Sequence, residues 1–288
     1  TVLSTTVLPS WICTPARLIV NVKTSARYIC SGSSVFSPSL NAVVGETGAA
    51  ITSTTAYVQP LVLLDEGYAR LTKLQIRTTA STSYAVRIGA NTQVTQCIID
   101  CNGVVYGGLE LTNSGAVATN TLVIKRAATA SRIAHFSFNA YASNCTFVVP
   151  SGTAKATVGL RRGYPAAATF TNCAVFGATD FGGTTNTTYA NCYGDDASPP
   201  SGVTQVAFDA TTGSGFESVT ADFRIKSTSA LANAGTSTGA PSIDISGTAR
   251  PQGASYDVGC WEYSAAASPA SLPPVQSLFA RMPALRRF

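Results

Sequence analysis

Charge is what this chain has least of. Of its 288 residues only 11% are Asp, Glu, Lys or Arg, against about 25% in ordinary domains. It holds one His and one Met, and its two Trp stand far apart at positions 11 and 261. With one His and no second close Cys pair beside Cys97 and Cys101, a zinc site is not expected. No apolar run reaches 18 residues, so no membrane-spanning helix is expected. No stretch repeats apolar residues at i, i+3, i+4 and i+7, so amphipathic helices are not expected either. The start of the chain lacks a basic segment followed by an apolar stretch, and no secretory leader is expected. The formal charge is +5, yet three of the positive charges, Arg281, Arg286 and Arg287, sit together in residues 276–288. No basic stripe carries interleaved aromatics, so a nucleic-acid partner is not expected.

What is present in quantity is Thr, Ser, Ala and Gly, and they are arranged periodically. A phrase of a small polar residue, Asn, Cys and apolar residues recurs as Ser143-Asn144-Cys145-Thr146-Phe147, Thr171-Asn172-Cys173-Ala174-Val175 and Ala190-Asn191-Cys192-Tyr193. Degenerate copies stand at Thr119-Asn120-Thr121-Leu122-Val123, Thr95-Gln96-Cys97-Ile98-Ile99 and Thr72-Lys73-Leu74-Gln75-Ile76. The anchors at 74, 97, 121, 145, 173 and 192 are 23, 24, 24, 28 and 19 residues apart. A second register runs through Ile88, Leu111, Phe136 and Leu160. Two strand positions drifting together at one period mean that each repeat contributes at least two strands, which is the signature of a solenoid. The expected fold is all-β, a right-handed parallel β-helix.

Alternation assigns faces, because residues i and i+2 of a strand share one. With the anchors inward, Ile76, Ile99, Val123, Phe147 and Val175 form an apolar column inside. Cys97, Cys145, Cys173 and Cys192 then fall in one inward file as reduced, buried thiols. The Asn before each Cys is placed to stack as an amide ladder at the turn. Outward, the residues three past each anchor are Arg77, Asp100, Ile124, Val148 and Phe176. The later coils are thus apolar on both faces and need an outer cover. The sequence leaves open whether that cover is the chain's own terminus or a neighbouring subunit. Ile124, Val148 and Phe176 are therefore candidate interface residues.

The organisation that follows has four parts. Residues 1–50 fall outside the period and are expected to cap the first coil or attach to a partner; the pairing state of their Cys13 and Cys30 stays open. Residues 51–210 form the coils, and 211–263 close the β-helix. Residues 264–288 are a Pro/Ala-rich linker to 275 and then a tail with Leu278, Phe279, Arg281, Met282, Leu285, Arg286, Arg287 and Phe288. Five large apolar side chains among three Arg point to docking on another subunit or partner.

The part at 222–263 contains Asp222-Phe223-Arg224-Ile225, Ser229 to Gly235, Asp244-Ile245-Ser246-Gly247-Thr248-Ala249-Arg250-Pro251 and Asp257-Val258-Gly259-Cys260-Trp261-Glu262. It resembles the closing segment of right-handed parallel β-helix repeat proteins found on bacterial surfaces and in bacteriophage virions. Its departures are Ile225 for Leu and Cys260-Trp261 where small residues or Ala-Tyr are usual. The resemblance implies architecture, and a setting in the virion, assembled in the host cytoplasm. Asp244, Arg250, Asp257 and Glu262 are four charges in a charge-poor chain and are expected to form a capping ion-pair network.

No catalytic constellation stands out. Glycosidases need two carboxylates across a cleft. The candidate pairs are Asp65-Glu66, Asp100 with Glu110, and Asp195-Asp196; the first and last read as turns. No charged residue type recurs on one face over several coils. His135 reads as a strand residue rather than a base, and Arg161-Arg162-Gly163-Tyr164 as a solvated edge. The expectation is therefore a structural, non-enzymatic virion protein without cofactor or metal: a head decoration, a fibre or a tail accessory. Its expected partners are capsid or tail proteins and further copies of itself, a trimer among the arrangements, with a host-surface glycan as another candidate. The rival is a polysaccharide-binding or polysaccharide-degrading β-helix of tailspike or lyase type, and a third reading is a bacterial surface adhesin.

Overall fold

The computed structural model describes residues 18–19, 29–31, 50–53, 62–64, 70–78, 84–101, 106–126, 132–151, 156, 158–162, 167–179 and 187–264. Among these there is no helix. Three parallel sheets of six, seven and eight strands wrap one core, and each coil gives one strand to each. The first sheet holds Val62–Leu64, Tyr84–Ile88, Gly107–Leu111, Arg132–Phe136 and Val158–Arg162 after Leu18–Ile19. The second includes Gln93–Thr95, Val117–Thr119 and Tyr141–Ser143, and the third includes Ile98–Cys101, Leu122–Lys125, Thr146–Val148 and Ala174–Phe176. The chain is a parallel β-helix.

The inner column is in register. Ile76 pairs with Ile99, Ile99 with Val123, Val123 with Phe147 and Phe147 with Val175. All five are buried, alongside the anchors Leu74, Cys97, Cys145, Cys173 and Cys192. The four Cys are free thiols. Each thiol lies within reach of the carbonyl two residues earlier, as Cys145 Sγ does at 3.4 Å from Ser143 O. At the same position in its own coil, the Thr121 hydroxyl donates to Thr119 O at 2.9 Å. The anchor position therefore offers a hydrogen-bond acceptor as well as an apolar pocket.

The residue before each anchor turns the chain from the second sheet to the third in a single left-handed step. Lys73, Gln96, Asn120, Asn144, Asn172 and Asn191 all have φ between 45° and 55°. Among residues with a Cβ, Asn tolerates that conformation best, since its short amide can bond locally. This explains the recurrence of Asn before the anchor.

Two boundaries differ from the sequence reading. Leu18–Ile19 and Ile29–Ser31, inside the stretch expected to cap the first coil, pair in parallel with Val62–Leu63 and Arg70–Thr72. These two short strands extend the first and second sheets by one strand each. The second register slips at its last member: Phe136 pairs with Arg162, and Leu160 pairs with Ala134.

The closing segment is the larger correction. Rather than sealing an end, it lies along the flank of the rod. After the antiparallel hairpin Phe216–Ser218/Asp222–Ile225, the chain runs back against the coil order. Asn191 donates to Ala234 O, Asn172 to Thr236 O, Asn120 to Ile243 O and Gln96 to Asp244 O. At about 4.8 Å per coil this path covers roughly 19 Å of the axis. A second core forms beneath it. Ile124, Val148 and Phe176 are fully buried there against Phe216, Phe223, Leu231, Ile245 and Val258. Phe216 meets Phe176 and Phe223 edge-on, with centroids 5.4 and 5.5 Å apart. Burying each such ring stabilises by about 1.5–3 kcal/mol.

Candidate functional site

The candidates named from sequence divide three ways. The tail residues Leu278, Phe279, Arg281, Met282, Leu285, Arg286, Arg287 and Phe288 lie outside the described residues, as do Cys13, Asp65 and Glu66. The outward apolar residues Ile124, Val148 and Phe176 are covered by the chain's own residues 216–261. They are therefore not a surface for another subunit. The closing charges do come together, and their geometry is described next.

Arg250 and Glu262 form an ion pair at 2.9 Å with both side chains fully buried. The same guanidinium donates to Asp257 O and Gly259 O. Glu262 accepts from the backbone N–H of Gln252 at 2.9 Å. Asp244 accepts from the N–H groups of Ser246 and Thr248 through one oxygen and of Glu262 through the other. Asp257 accepts from the N–H groups of Asn233 and Tyr263. Burial pushes the carboxyls of Asp257 and Glu262 above their ordinary values, against the pull of these donors and of Arg250. Every acid here is spent on orienting backbone, and none faces a cleft. Gly259 makes the close approach possible. It has φ 95°, and a Cβ would fall 2.7 Å from Thr146 Oγ1.

The amide ladder is mostly redirected. Asn172 does donate to Asn144 Oδ1 at 3.2 Å. The other amides are taken by the closing segment, as Asn144 Nδ2 donates to Asp257 O at 3.0 Å. The Asn row is thus the edge on which residues 234–257 are hung.

The acids of the coils are engaged as well. Asp100 is buried between Arg77 at 3.0 Å and Arg126 at 2.8 Å. Asp195 and Asp196 accept from the N–H groups of Gly177 and Ser198. Lys125 points inward, donates to Arg132 O at 2.8 Å, and is pushed down to about 8 by burial.

One cluster escaped the sequence reading, because it is built of unlike residues rather than of a recurring type. On the outer face of the first sheet, Arg87 pairs with Glu110, Glu110 with His135, and His135 with Arg161 in strand register. Glu110 meets Arg87 at 3.4 Å and His135 Nδ1 at 3.0 Å. With the proton on Nδ1 the imidazole donates to Glu110, and Nε2 carries the lone pair. The ring of Tyr84 lies 6.3 Å from that of His135 at 16°, and Tyr106 stacks on Tyr84 at 6.1 Å. The Arg132 guanidinium sits 5.7 Å from the Tyr106 centroid. Gly107 lies in strand register with Tyr84. A Cβ there would stand 3.1 Å from Tyr84 Cε1. The only sequence trace of this column is a spacing of 23, 25 and 26 between unlike residues.

Among the described residues no group of three or more His, Cys, Asp and Glu is placed to hold a metal ion. Comparison with protein-family models, with curated proteins and with solved structures finds no match to this chain.

Proposed function

We propose that this chain is a non-enzymatic structural component of a bacteriophage virion: a head decoration, fibre or tail accessory protein. One observation carries the reading. The residues on which the family resemblance rests, Asp244, Arg250, Asp257 and Glu262, are consumed in sealing the flank of the rod. They serve architecture, and the coil acids Asp100 and Glu110 are held in ion pairs with Arg126 and Arg87. The product is a stiff rod with a self-covered side, suited to carrying load or spacing other proteins. Its proposed setting is the virion, assembled in the host cytoplasm, with capsid or tail proteins and further copies of itself as partners. The tail at 276–288 is the proposed attachment element.

Mass spectrometry of purified particles tests this by copy number. The expected result is a fixed stoichiometry per particle, lost on deletion of residues 276–288 while the truncated chain keeps its β-sheet circular dichroism. Absence from particles, or a truncated chain that assembles as well as the parent, would overturn the proposal.

A further inference from the structure

Charge buried in this molecule comes with an opposite charge beside it in two places. Arg250 faces Glu262 at 2.9 Å, and Asp100 lies between Arg77 and Arg126. Lys125 is different. It is among the largest side chains fully removed from water, with 1% of its surface exposed. Among the described residues its ammonium makes one hydrogen bond, to Arg132 O at 2.8 Å, and no carboxylate pairs with it. An ammonium has three donors, so two are left over. Burial pushes the group down to about 8, and at pH 7 most of it still carries the proton.

The repeat places this amine in a file of its own. Lys125 stands two residues past Val123, as Cys101 does past Ile99 and Thr78 past Ile76, so all three continue the inward face of the third sheet. Lys125 pairs with Cys101, and Cys101 with Thr78, in strand register. Neighbours in such a file are about 4.8 Å apart along the axis. All three residues are buried. The Thr78 hydroxyl has no hydrogen-bond partner. Gly108 stands against Cys101 Sγ and brings no side chain to that corner.

The file therefore offers an N–H, an S–H and an O–H donor and one full positive charge, beside the apolar column of Ile76, Ile99 and Val123. The acid nearest in sequence, Asp100, is held by Arg77 and Arg126, and does not reach Lys125. An isolated charge in an apolar interior is strongly disfavoured. Buried donors without an acceptor add to that cost. What the corner lacks is a negative charge that accepts hydrogen bonds and needs to give none.

We propose that this corner binds a small monovalent anion of chloride size, held by the Lys125 ammonium, the Cys101 thiol and the Thr78 hydroxyl. One negative charge balances one ammonium. A spherical ion accepts from donors in any direction, whereas a carboxylate or a phosphate would bring further oxygens that three donors leave unpaired. The ion ties three successive coils together from inside the rod. The site goes beyond the virion reading and stands whether or not that reading holds.

Crystals of the full chain grown in sodium bromide test the site directly, because bromide replaces chloride and is located by its anomalous scattering. The expected result is an anomalous peak inside the rod, in contact with Lys125 Nζ. Thermal melts of the full chain in sodium chloride and in sodium gluconate, at equal ionic strength and pH 7, test what the ion does. Chloride is expected to raise Tm by about 3 °C over gluconate. Lys125→Met keeps the stem and removes the charge, and is expected to abolish that difference; Thr78→Val is expected to reduce it by roughly half. Bromide found only on the outer surface, equal melting in the two salts, or a chloride effect that survives unchanged in Lys125→Met would overturn the proposal. The bromide experiment uses the parent chain and decides the matter even where a variant fails to fold.

Discussion

Replacing Arg250 by Ala tests the closing segment at its most buried point. The guanidinium holds Glu262 at 2.9 Å and donates to the carbonyls of Asp257 and Gly259, all away from water. Breaking a buried ion pair by removing one partner costs about 3–5 kcal/mol. The two abandoned carbonyls add roughly 1 kcal/mol each. Against this, Glu262 keeps the N–H groups of Gln252 and Asp257. A net loss of about 4 kcal/mol at pH 8 is the expectation. The loss should depend on pH with a definite sign. Burial already raises the Glu262 carboxyl, and Arg250 is one of the groups holding it down. Without Arg250 its folded pKa rises further above the unfolded value, near 4.3. A group raised on folding contributes fully below its unfolded pKa, and that contribution is lost as pH rises through the folded pKa. The variant should therefore lie closer to the parent at pH 5 than at pH 8. Adding Glu262→Gln should recover part of the loss at pH 8 and little at pH 5. Urea titrations followed by Trp fluorescence and circular dichroism would measure all of this; Trp261 lies in the closing segment. A cost below about 1 kcal/mol at pH 8, or one that grows at pH 5, would refute the account.

Alkaline pH gives a second test. Burial pushes the thiols of Cys97 and Cys260 up to about 12 and raises those of Cys101, Cys173 and Cys192. Their contribution is intact below about pH 9, where unfolded thiols begin to ionise, and is lost as pH rises toward 12. Five such groups lower stability by up to about 7 kcal/mol per pH unit. Lys125, pushed down to about 8, works in the opposite direction between pH 8 and 10.5, but it is one group against five. Urea midpoints under reductant should hold to about pH 8.5 and fall steeply above 9.5; a flat profile to pH 10.5 would contradict the burial. Cys145→Ser should cost less than about 1 kcal/mol by thermal melting, because Ser143 O stands ready to accept as Thr119 O does for Thr121. Gly108→Ala should cost about 1–3 kcal/mol in the same assay, since its Cβ would lie 2.5 Å from Val123 Cγ1 and 3.0 Å from Cys101 Sγ.

How far the sequence could be read follows from which residues repeat. The third-sheet strands announce themselves because the anchor and the residue two later recur as apolar pairs, Cys145 with Phe147 and Cys173 with Val175. The second-sheet strands are three or four residues long and mostly polar outside, as in Gln93–Thr95, so they pass for turn. The Asn row was legible as a stack of amides at the turn but not as a docking edge. An amide that can stack on its own copies can equally bond to a passing backbone, and only the course of residues 234–244 decides between them. Ile124, Val148 and Phe176 showed that a cover was needed, and nothing in the repeat said that it lay downstream in the same chain, from Phe216 onward. The outer column of the first sheet was invisible for a different reason. Arg87, Glu110 and His135 meet because they are unlike, so a search for recurring residue types passes over them.

The return path of the closing segment changes the mechanics of the rod. Stacked coils that touch only their neighbours can fray one at a time from either end. Here a single strand of chain is fastened to the coils at Asn191, Asn172, Ser143, Asn120 and Gln96 in turn. The outer coils cannot loosen independently while it is in place, so unfolding should occur in one step across that span. Cys260 and Glu262, near the end of the closing segment, also sit on the side of the rod, against Thr146 and Asp244. A pull applied at that point would act crosswise on the shaft, opening the fastening at Glu262 and Arg250 before it reached any coil.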